Sequence, residues 1–337
     1  MNQSESMSQL PEMINAVIAR EPGGPEVLQQ VQRALTQPQA GEVLIRIAAA
    51  GVNRPDLMQR SGMPTPPGVT DVLGLEAAGT VMAVGPDVEE FAPGDRVMTL
   101  LNGGGYAEYC IAVAAHCLRV PAALPLEDAA GVPEAAFTVW HNLFELGRLS
   151  AGDTVLIHGA ASGVGSFAVQ CAQAAGARVI ATAGGSEKVA MLEALGIWRA
   201  IDRHQEDFVA VVSECTGGRG VDVVLDNVGG PYVARNLEAM ALGGRHVSLS
   251  FLQGAKIELD LQLLMRKSLS LTSSTLRPKS SEEKARLAVC IRENILPWLA
   301  SGELRPLIHS RLPLEQAAEA HRVLEANANL GKVLLTP

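Results

Sequence analysis

At 337 residues, with 27 Lys and Arg against 36 Asp and Glu and a formal net charge of −9, the chain is acidic and long enough for about two domains. Apolar residues make up 47% of it, yet no uninterrupted apolar run approaches the roughly 18–20 residues of a membrane helix, so neither a membrane span nor a nucleic-acid partner is expected. The cysteines, Cys110, Cys117, Cys171, Cys215 and Cys290, are scattered and form no CxxC pair. They support neither a disulfide framework nor a structural zinc site, and they fit a reducing cytoplasm.

Met1 to Glu12 is polar, lacks the pattern of a secretory signal, and reads as a flexible tail. From Met13 to about Val120 the signals are strands and turns. β-rich runs cover Met13–Ala19, Val27–Val31, Glu42–Val52, Gly74–Val84, Asp95–Leu100 and Tyr106–Val113, punctuated by Gly and Pro clusters such as Pro64 to Gly68. This pattern predicts a small all-β barrel with one short helix starting near Asn53. At Leu126 the period changes to a helix reaching about Leu146, and strand and helix then alternate: Thr154–His158 and its helix, Arg178–Ala183 with Glu187–Leu195, a short strand at Arg199–Asp202, Val221–Asn227 with Tyr232–Leu242, and Arg245–Ser250. Such alternation predicts a parallel sheet covered on both faces. A strand near Ser268–Thr272 and a helix from Glu282 to Leu296 follow. The strands Ile308–Leu312 and Gly331–Leu335 do not continue the alternation and are expected to return to the first domain.

The most informative stretch is Thr154 to Gly176. An apolar, β-branched run breaks at a Gly/Ala/Ser bend into a helix whose Val164, Phe167, Ala168, Cys171, Ala172 and Ala175 share one face. Small residues let a backbone approach an anion, and a helix start offers unpaired N–H groups. Ala160, Ser162, Gly163, Val164 and Gly165 are therefore candidates to hold a dinucleotide pyrophosphate. An ordinary buried strand-turn-helix reads equally well from the glycines alone.

An acid about 20 positions beyond this turn normally grips the ribose hydroxyls of NAD. Here the second strand ends in Gly184 and Gly185, followed by Ser186, Glu187 and Lys188. The glycines make room, Ser186 offers a hydroxyl, and Lys188 and Arg203 offer charge, a set suited to the 2′-phosphate of NADPH. The bland alternative is a capping Ser186 and two solvated cations, and Glu187 is also placed to meet NAD hydroxyls. At later strand ends, Asn227, Ser250 and Phe251 are further candidates for the cofactor.

The ordered set Gly51-Val-Asn-Arg-Pro-Asp56, Gly74-Leu-Glu-Ala-Ala-Gly79, Pro93-Gly-Asp-Arg-Val97, His158 to Gly165 and Asn329-Leu-Gly-Lys-Val333 resembles the medium-chain dehydrogenase/reductase superfamily. Within it the chain is most similar to the zinc-independent quinone oxidoreductases, the group holding the tumour-suppressor-inducible animal enzyme and its bacterial relatives. The resemblance implies an α/β chain. A GroES-like β-barrel catalytic domain would span 13–129 and be completed by 273–337, and a Rossmann NADPH-binding domain with a doubly wound parallel sheet would span 130–272, with the active site in the cleft between them. Zinc-dependent relatives place a Cys where this chain has Asn53 and a His where it has Leu75, so no metal is expected.

By the same resemblance Asn53 lies by the nicotinamide and the reacting carbonyl, Thr138 near the nicotinamide ribose, and Ser162 on the active-site wall, while Asn329 and Lys332 fall in a motif near the cleft. Local readings stand beside these: Asn53 and Ser162 as a helix cap and a turn residue, Thr138 as a helix bond, Asn329 and Lys332 as turn and surface. One departure concerns the Tyr that relatives carry soon after Arg-x-Gly. Here Arg60-Ser-Gly62 is followed by Met63-Pro-Thr-Pro-Pro67, leaving Tyr106 or Trp140 as substitutes if they are not packing residues. The expectation is a cytoplasmic, homodimeric, zinc-free NADPH-dependent quinone reductase. The alternatives are an enoyl or alkenal double-bond reductase and a non-catalytic, crystallin-like NADPH-binding protein.

Overall fold

The computed structural model describes residues 10–65 and 69–337. The start of the expected tail, and Pro66, Pro67 and Gly68, lie outside the described residues. The first part of the chain runs β1 (Met13–Ala19), β2 (Leu28–Ala34), β3 (Glu42–Gly51), α1 (Arg54–Arg60), β4 (Glu76–Val84), β5 (Arg96–Leu100), β6 (Tyr109–Val113), β7 (Cys117–Arg119) and α2 (Pro133–Val139). There follow β8 (Thr154–Ile157), α3 (Gly163–Ala174), β9 (Arg178–Ala183), α4 (Ser186–Ala194), β10 (Arg199–Asp202), α5 (Phe208–Thr216), β11 (Val221–Asp226), α6 (Tyr232–Ala239), β12 (Met240–Ser248), α7 (Leu261–Lys267) and β13 (Ser270–Ser273). The chain ends with α8 (Ser281–Asn294), α9 (Leu296–Ser301), β14 (Ile308–Pro313), α10 (Ala317–Glu325) and β15 (Lys332–Thr336).

These elements form two compact units. The first comprises Met1–Phe137, Arg277–Gly302 and Pro306–Pro337, and the second Thr138–Leu276 with Glu303–Arg305. The divisions thus fall at 137/138 and 276/277, a few residues beyond the expected 129/130 and 272/273, because α2 begins in the first unit and the segment after β13 stays with the sheet it leaves.

In the first unit β3 carries Val43, Leu44, Ile45 and Ile47, all buried, and pairs antiparallel with β4, β6 and β15. The sheet order is β14-β15-β3-β4-β5-β7, with β6 on β3. The late strands β14 and β15 therefore belong to the same sheet as strands made almost 300 residues earlier, and β15 buries Val333, Leu334 and Leu335 in that core. α10 adds Ala317, Ala320 and Leu324.

In the second unit all strand pairs are parallel and the order is β10-β9-β8-β11-β12-β13. In chain order this is 3-2-1-4-5-6, the dinucleotide-binding topology, whose switch point lies between β8 and β11. Continuous apolar runs such as Thr154–Ile157 are buried along their whole length, as both-faced strands must be. The helix expected to reach Leu146 changes character after α2: Trp140–Leu146 is a π-helical turn, closed by Gly147 N–H donating to Asn142 O at 2.8 Å.

Candidate functional site

At the carboxyl end of β8 the chain turns directly into α3. Ser162 is the N-cap, its Oγ accepting from Gly165 N–H at 3.1 Å. Gly165 is required by close approach, since a Cβ there would stand 2.5 Å from Gly159 O. Ala160 N–H donates to Thr182 O at 3.1 Å, so the turn is tied to β9 as well. Ala160, Ser162, Gly163, Val164 and Gly165 are thereby gathered at one helix start.

The ends of β9 and β10 bring Gly184 against the Arg203 side chain, and Ser186 and Lys188 follow in the first turn of α4. Gly185, with φ of 90°, is the N-cap of α4 and makes no side-chain cap, so Ser186 is the first helical residue and not the capping group. Arg203 N–H donates to Ala183 O at 2.9 Å, which fixes the turn after β10 beside the end of β9. Asp202, the last residue of β10, is a carboxylate that counting along β9 alone passes over. Its Oδ1 accepts from His204 N–H at 3.0 Å and Gly185 N–H at 3.1 Å, and these bonds hold its pKa below the usual carboxylate value.

Asn227 follows β11, and Ser250 Oγ donates to Asn227 O at 2.5 Å. The Asn227 amide lies against Gly159, and its Oδ1 is buried without a hydrogen-bond partner. Phe251 is exposed beside them. Beneath these strand ends runs a buried polar chain that the sequence reading did not anticipate. His158 Nε2 meets Asn236 Oδ1 at 2.7 Å and Thr182 Oγ1 meets His158 Nδ1 at 2.9 Å, while Asn236 Nδ2 and His246 Nε2 both reach Asp226 Oδ2 at 3.2 Å. An amide oxygen only accepts, so His158 carries its proton on Nε2 and accepts from Thr182 at Nδ1. Burial keeps His158 below the ordinary imidazole value. Burial alone would raise Asp226, but the His246 hydrogen bond and the nearby imidazoles bring it down. Asp226 Oδ1 also accepts from Val228 and Gly229 N–H at 2.7 and 3.1 Å, so the chain of bonds sets the turn that carries Asn227.

Thr138 opens the second unit, and its carbonyl accepts from Asn142 Nδ2 at 2.8 Å. Trp140 stacks on Phe144 with centroids 5.0 Å apart, and its indole N–H is buried without a partner. Asn53 and Asn329 belong to the first unit. Asn329 Nδ2 donates to Gly331 O at 2.7 Å, closing the turn before β15.

Asn53 precedes α1 and is almost fully buried. It is the N-cap of α1, its backbone N–H donating to Asp56 Oδ2 at 2.8 Å, and its amide reaches further partners: Nδ2 donates to Glu76 Oε1 at 2.8 Å, and Oδ1 accepts from Lys332 Nζ at 2.7 Å. Lys332 Nζ also pairs with Glu76, and Glu76 Oε2 accepts from Glu134 N–H at 2.8 Å. An ammonium only donates, so the Asn53 amide has one possible orientation. Lys332 is buried here and is not a surface residue. Around this cluster burial pushes Asp56 up to about 7, against the hydrogen bonds from Asn53 and Tyr106. Burial, followed by the Glu76 carboxylate, pushes Glu134 up to about 8.

Tyr106 is a packing and network residue. It is fully buried, with its hydroxyl bonded to Asp56 and to His321, whose imidazole burial pushes down to about 3. Arg60 reaches His321 Nδ1 at 3.2 Å and pairs with Glu325. Sequence reasoning passed over Glu76, Glu134 and His321. Single polar letters inside apolar runs were their only signal, and Glu76 alone stood inside a family motif, Gly74 to Gly79.

Two domain families match the chain: the alcohol dehydrogenase GroES-like domain over residues 39–122 and the zinc-binding dehydrogenase domain over 163–290. Quinone oxidoreductase 1 of Escherichia coli (strain K12) is 34% identical over 321 residues, which cover 94% of this chain and 97% of that protein. Among solved structures, the Escherichia coli quinone oxidoreductase complexed with NADPH has a TM-score of 0.85 at 33% identity, covering 96% of this chain and all of that one. The CurK enoyl reductase has a TM-score of 0.86 at 28% identity, covering 97% and 99%. A GroES-like sheet, a 3-2-1-4-5-6 parallel sheet and this likeness over nearly the whole length place the chain in the medium-chain dehydrogenase/reductase superfamily of oxidoreductases, in its quinone oxidoreductase branch.

Proposed function

We propose that this chain is an NADPH-dependent, zinc-independent reductase of quinones. The observation that supports the cofactor is the end of β9 at Gly184 and Gly185, which brings no acid of its own and lies beside Arg203, in a sheet of dinucleotide-binding order; the Asp202 carboxylate from β10 is taken up by the Gly185 and His204 N–H groups. Quinone as substrate rests on the relatives named above.

The second unit fits the cofactor. The N-terminus of α3 offers the Gly163 and Val164 N–H groups to a pyrophosphate, while Gly165 N–H is taken by the Ser162 cap. Ser186, Lys188 and Arg203 take the 2′-phosphate, while Asn227, Ser250 and Phe251 take the nicotinamide half. The partnerless Asn227 Oδ1 is an acceptor suited to a ligand hydroxyl or amide. When bound, NADPH supplies the hydride. The protein's part is to hold two flat molecules in register and keep water out.

In the first unit Asn53 is the group we assign to the substrate carbonyl, with Glu76 and Lys332 fixing the direction of its amide. Zinc does not fit this donor set, because an amide, the Leu75 side chain and a buried ammonium stand where thiolate and imidazole ligands would be needed. A quinone accepts a hydride without a Lewis acid, and its conjugated carbonyls spread the charge.

Steady-state NADPH oxidation with naphthoquinones and with short alkenals tests the reading. Turnover of alkenals with no quinone activity would replace it by the second reading, an enoyl or alkenal reductase, which the likeness to the CurK enoyl reductase favours. No turnover of either class, with tight NADPH binding, would point to a non-catalytic cofactor-binding protein.

A further inference from the structure

A Cβ built on Gly184 would stand 2.8 Å from Arg203 Nε and 2.8 Å from His204 Nε2. Two nitrogen-bearing heads from the turn after β10 therefore lie side by side on the bare face of the glycine that ends β9. Both residues are exposed, and among the described residues neither side chain is held by a hydrogen bond or ion pair to a carboxylate. The Asp202 carboxylate next to them has its oxygens occupied: Oδ1 accepts from Gly185 and His204 N–H, and Oδ2 accepts from Gln205 Nε2 at 3.2 Å, while its charge also attracts the His204 imidazole. One carboxylate thus ties the Gly184-Gly185 turn to the Arg203-His204 turn, and its charge is met by those donors. The result is a pair of donor heads over a glycine, with the turns that carry them braced to one another.

We propose that His204, together with Arg203, ligates the ribose 2′-phosphate of NADPH and is a specificity-determining residue for NADPH over NADH. The proposal rests on the reading that the second unit binds NADPH. His204 donates from Nε2 to a phosphate oxygen, and the Arg203 guanidinium supplies permanent charge and a planar donor edge. Gly184 is then constrained by the two heads above it, because any side chain there would push both away from the anion. NADH, with a neutral hydroxyl at the same carbon, gains far less from either head.

Calorimetric titration of the whole chain with four probes tests this: NADPH, NADH, adenosine 2′,5′-bisphosphate and AMP. His204→Ala should weaken NADPH and adenosine 2′,5′-bisphosphate by about tenfold, leave NADH and AMP within about twofold, and His204→Arg should restore most of the loss. Retained NADH binding shows that the variant is folded. Equal weakening of NADPH and NADH, or no weakening of NADPH, would overturn the assignment of His204. If the unmutated chain binds NADH as tightly as NADPH, or binds neither, the cofactor reading itself fails and His204 loses its role with it. That failure is visible before any variant is made.

Discussion

His321 Nε2 lies 3.1 Å from the Tyr106 hydroxyl, which lies 3.1 Å from Asp56 Oδ2. Arg60 only donates, so it sets His321 Nδ1 as an acceptor and leaves the imidazole proton on Nε2, facing Tyr106, whose own proton goes to Asp56. A fixed sequence of donors therefore joins α10 to α1 through the core of the first unit.

The two ends of that sequence titrate with opposite effect on stability. Asp56 has a folded pKa of about 7 against an ordinary 3.8, so its contribution is lost as pH rises between those values, where the unfolded chain has already released the proton. His321, at about 3 against 6.5, acts in the other direction: stability is lost as pH falls through that range, because only the unfolded chain takes the proton up. The effects largely oppose one another between about pH 4 and 6.5. Asp56→Asn should unmask His321, giving a Tm that climbs over this range and then levels. His321→Gln should unmask Asp56, giving a Tm that declines toward pH 7. Scanning calorimetry in half-unit pH steps would show it, and three parallel profiles would refute the assignment.

Lys332→Met should cost about 3–5 kcal/mol, the range for breaking one side of a buried ion pair. Glu76 would lose its counter-charge, keeping only the Asn53 and Glu134 donors, and Asn53 Oδ1 would lose its donor. Adding Glu76→Gln should recover part of the loss by removing the stranded charge. Urea denaturation of the single and double variants measures both, and a Lys332→Met variant as stable as the parent would rule out the buried pair.

Asn227→Ala should barely change stability, because Oδ1 has no partner to lose. On the proposed reading it should weaken NADPH and NADH alike, by roughly fivefold for one lost hydrogen bond. Fluorescence titration separates this from the 2′-phosphate contacts, whose loss affects NADPH alone. Weakening confined to NADPH would place Asn227 at the wrong end of the cofactor.

Among the described residues β13 is an edge strand paired only with β12, and before it in sequence Leu252, Leu261 and Met265 expose large apolar side chains. Unprotected parallel edges with apolar flanks favour pairing with a second copy. The chain should be a homodimer in light scattering, and a Leu261→Glu, Met265→Glu double variant should shift it toward monomer. A monomeric parent at micromolar concentration would contradict this.

Much of the architecture was legible because its signals are local. Val155–Ile157 and Val179–Ala181 are short apolar runs rich in β-branched residues, and Arg199–Asp202 is a strand that a short run only hinted at. The π-helical turn at Trp140–Leu146 was not legible, since π and α turns bury the same apolar letters. Asp202 escaped notice because the search for an acid followed β9, while the carboxylate arrives from the adjacent strand. The polar clusters were beyond reach for a different reason. Asp56, Tyr106 and His321 meet only after folding, and no spacing in the sequence relates them. Resemblance set Asn53 beside the nicotinamide, with a helix cap as the local reading; it is the N-cap residue of α1, and its amide also bonds to Glu76 and Lys332, partners that no spacing in the sequence relates to it.

β15 closes the first sheet against β3 and carries Lys332 to Glu76 and Asn53. During synthesis, β3, α1 and β4 leave the ribosome long before that strand exists. Until it arrives, the Glu76 carboxylate has no counter-charge and β3 presents an open edge to Leu334 and Leu335. A nascent chain must therefore wait, with its first sheet unfinished, while the whole parallel-sheet unit is translated.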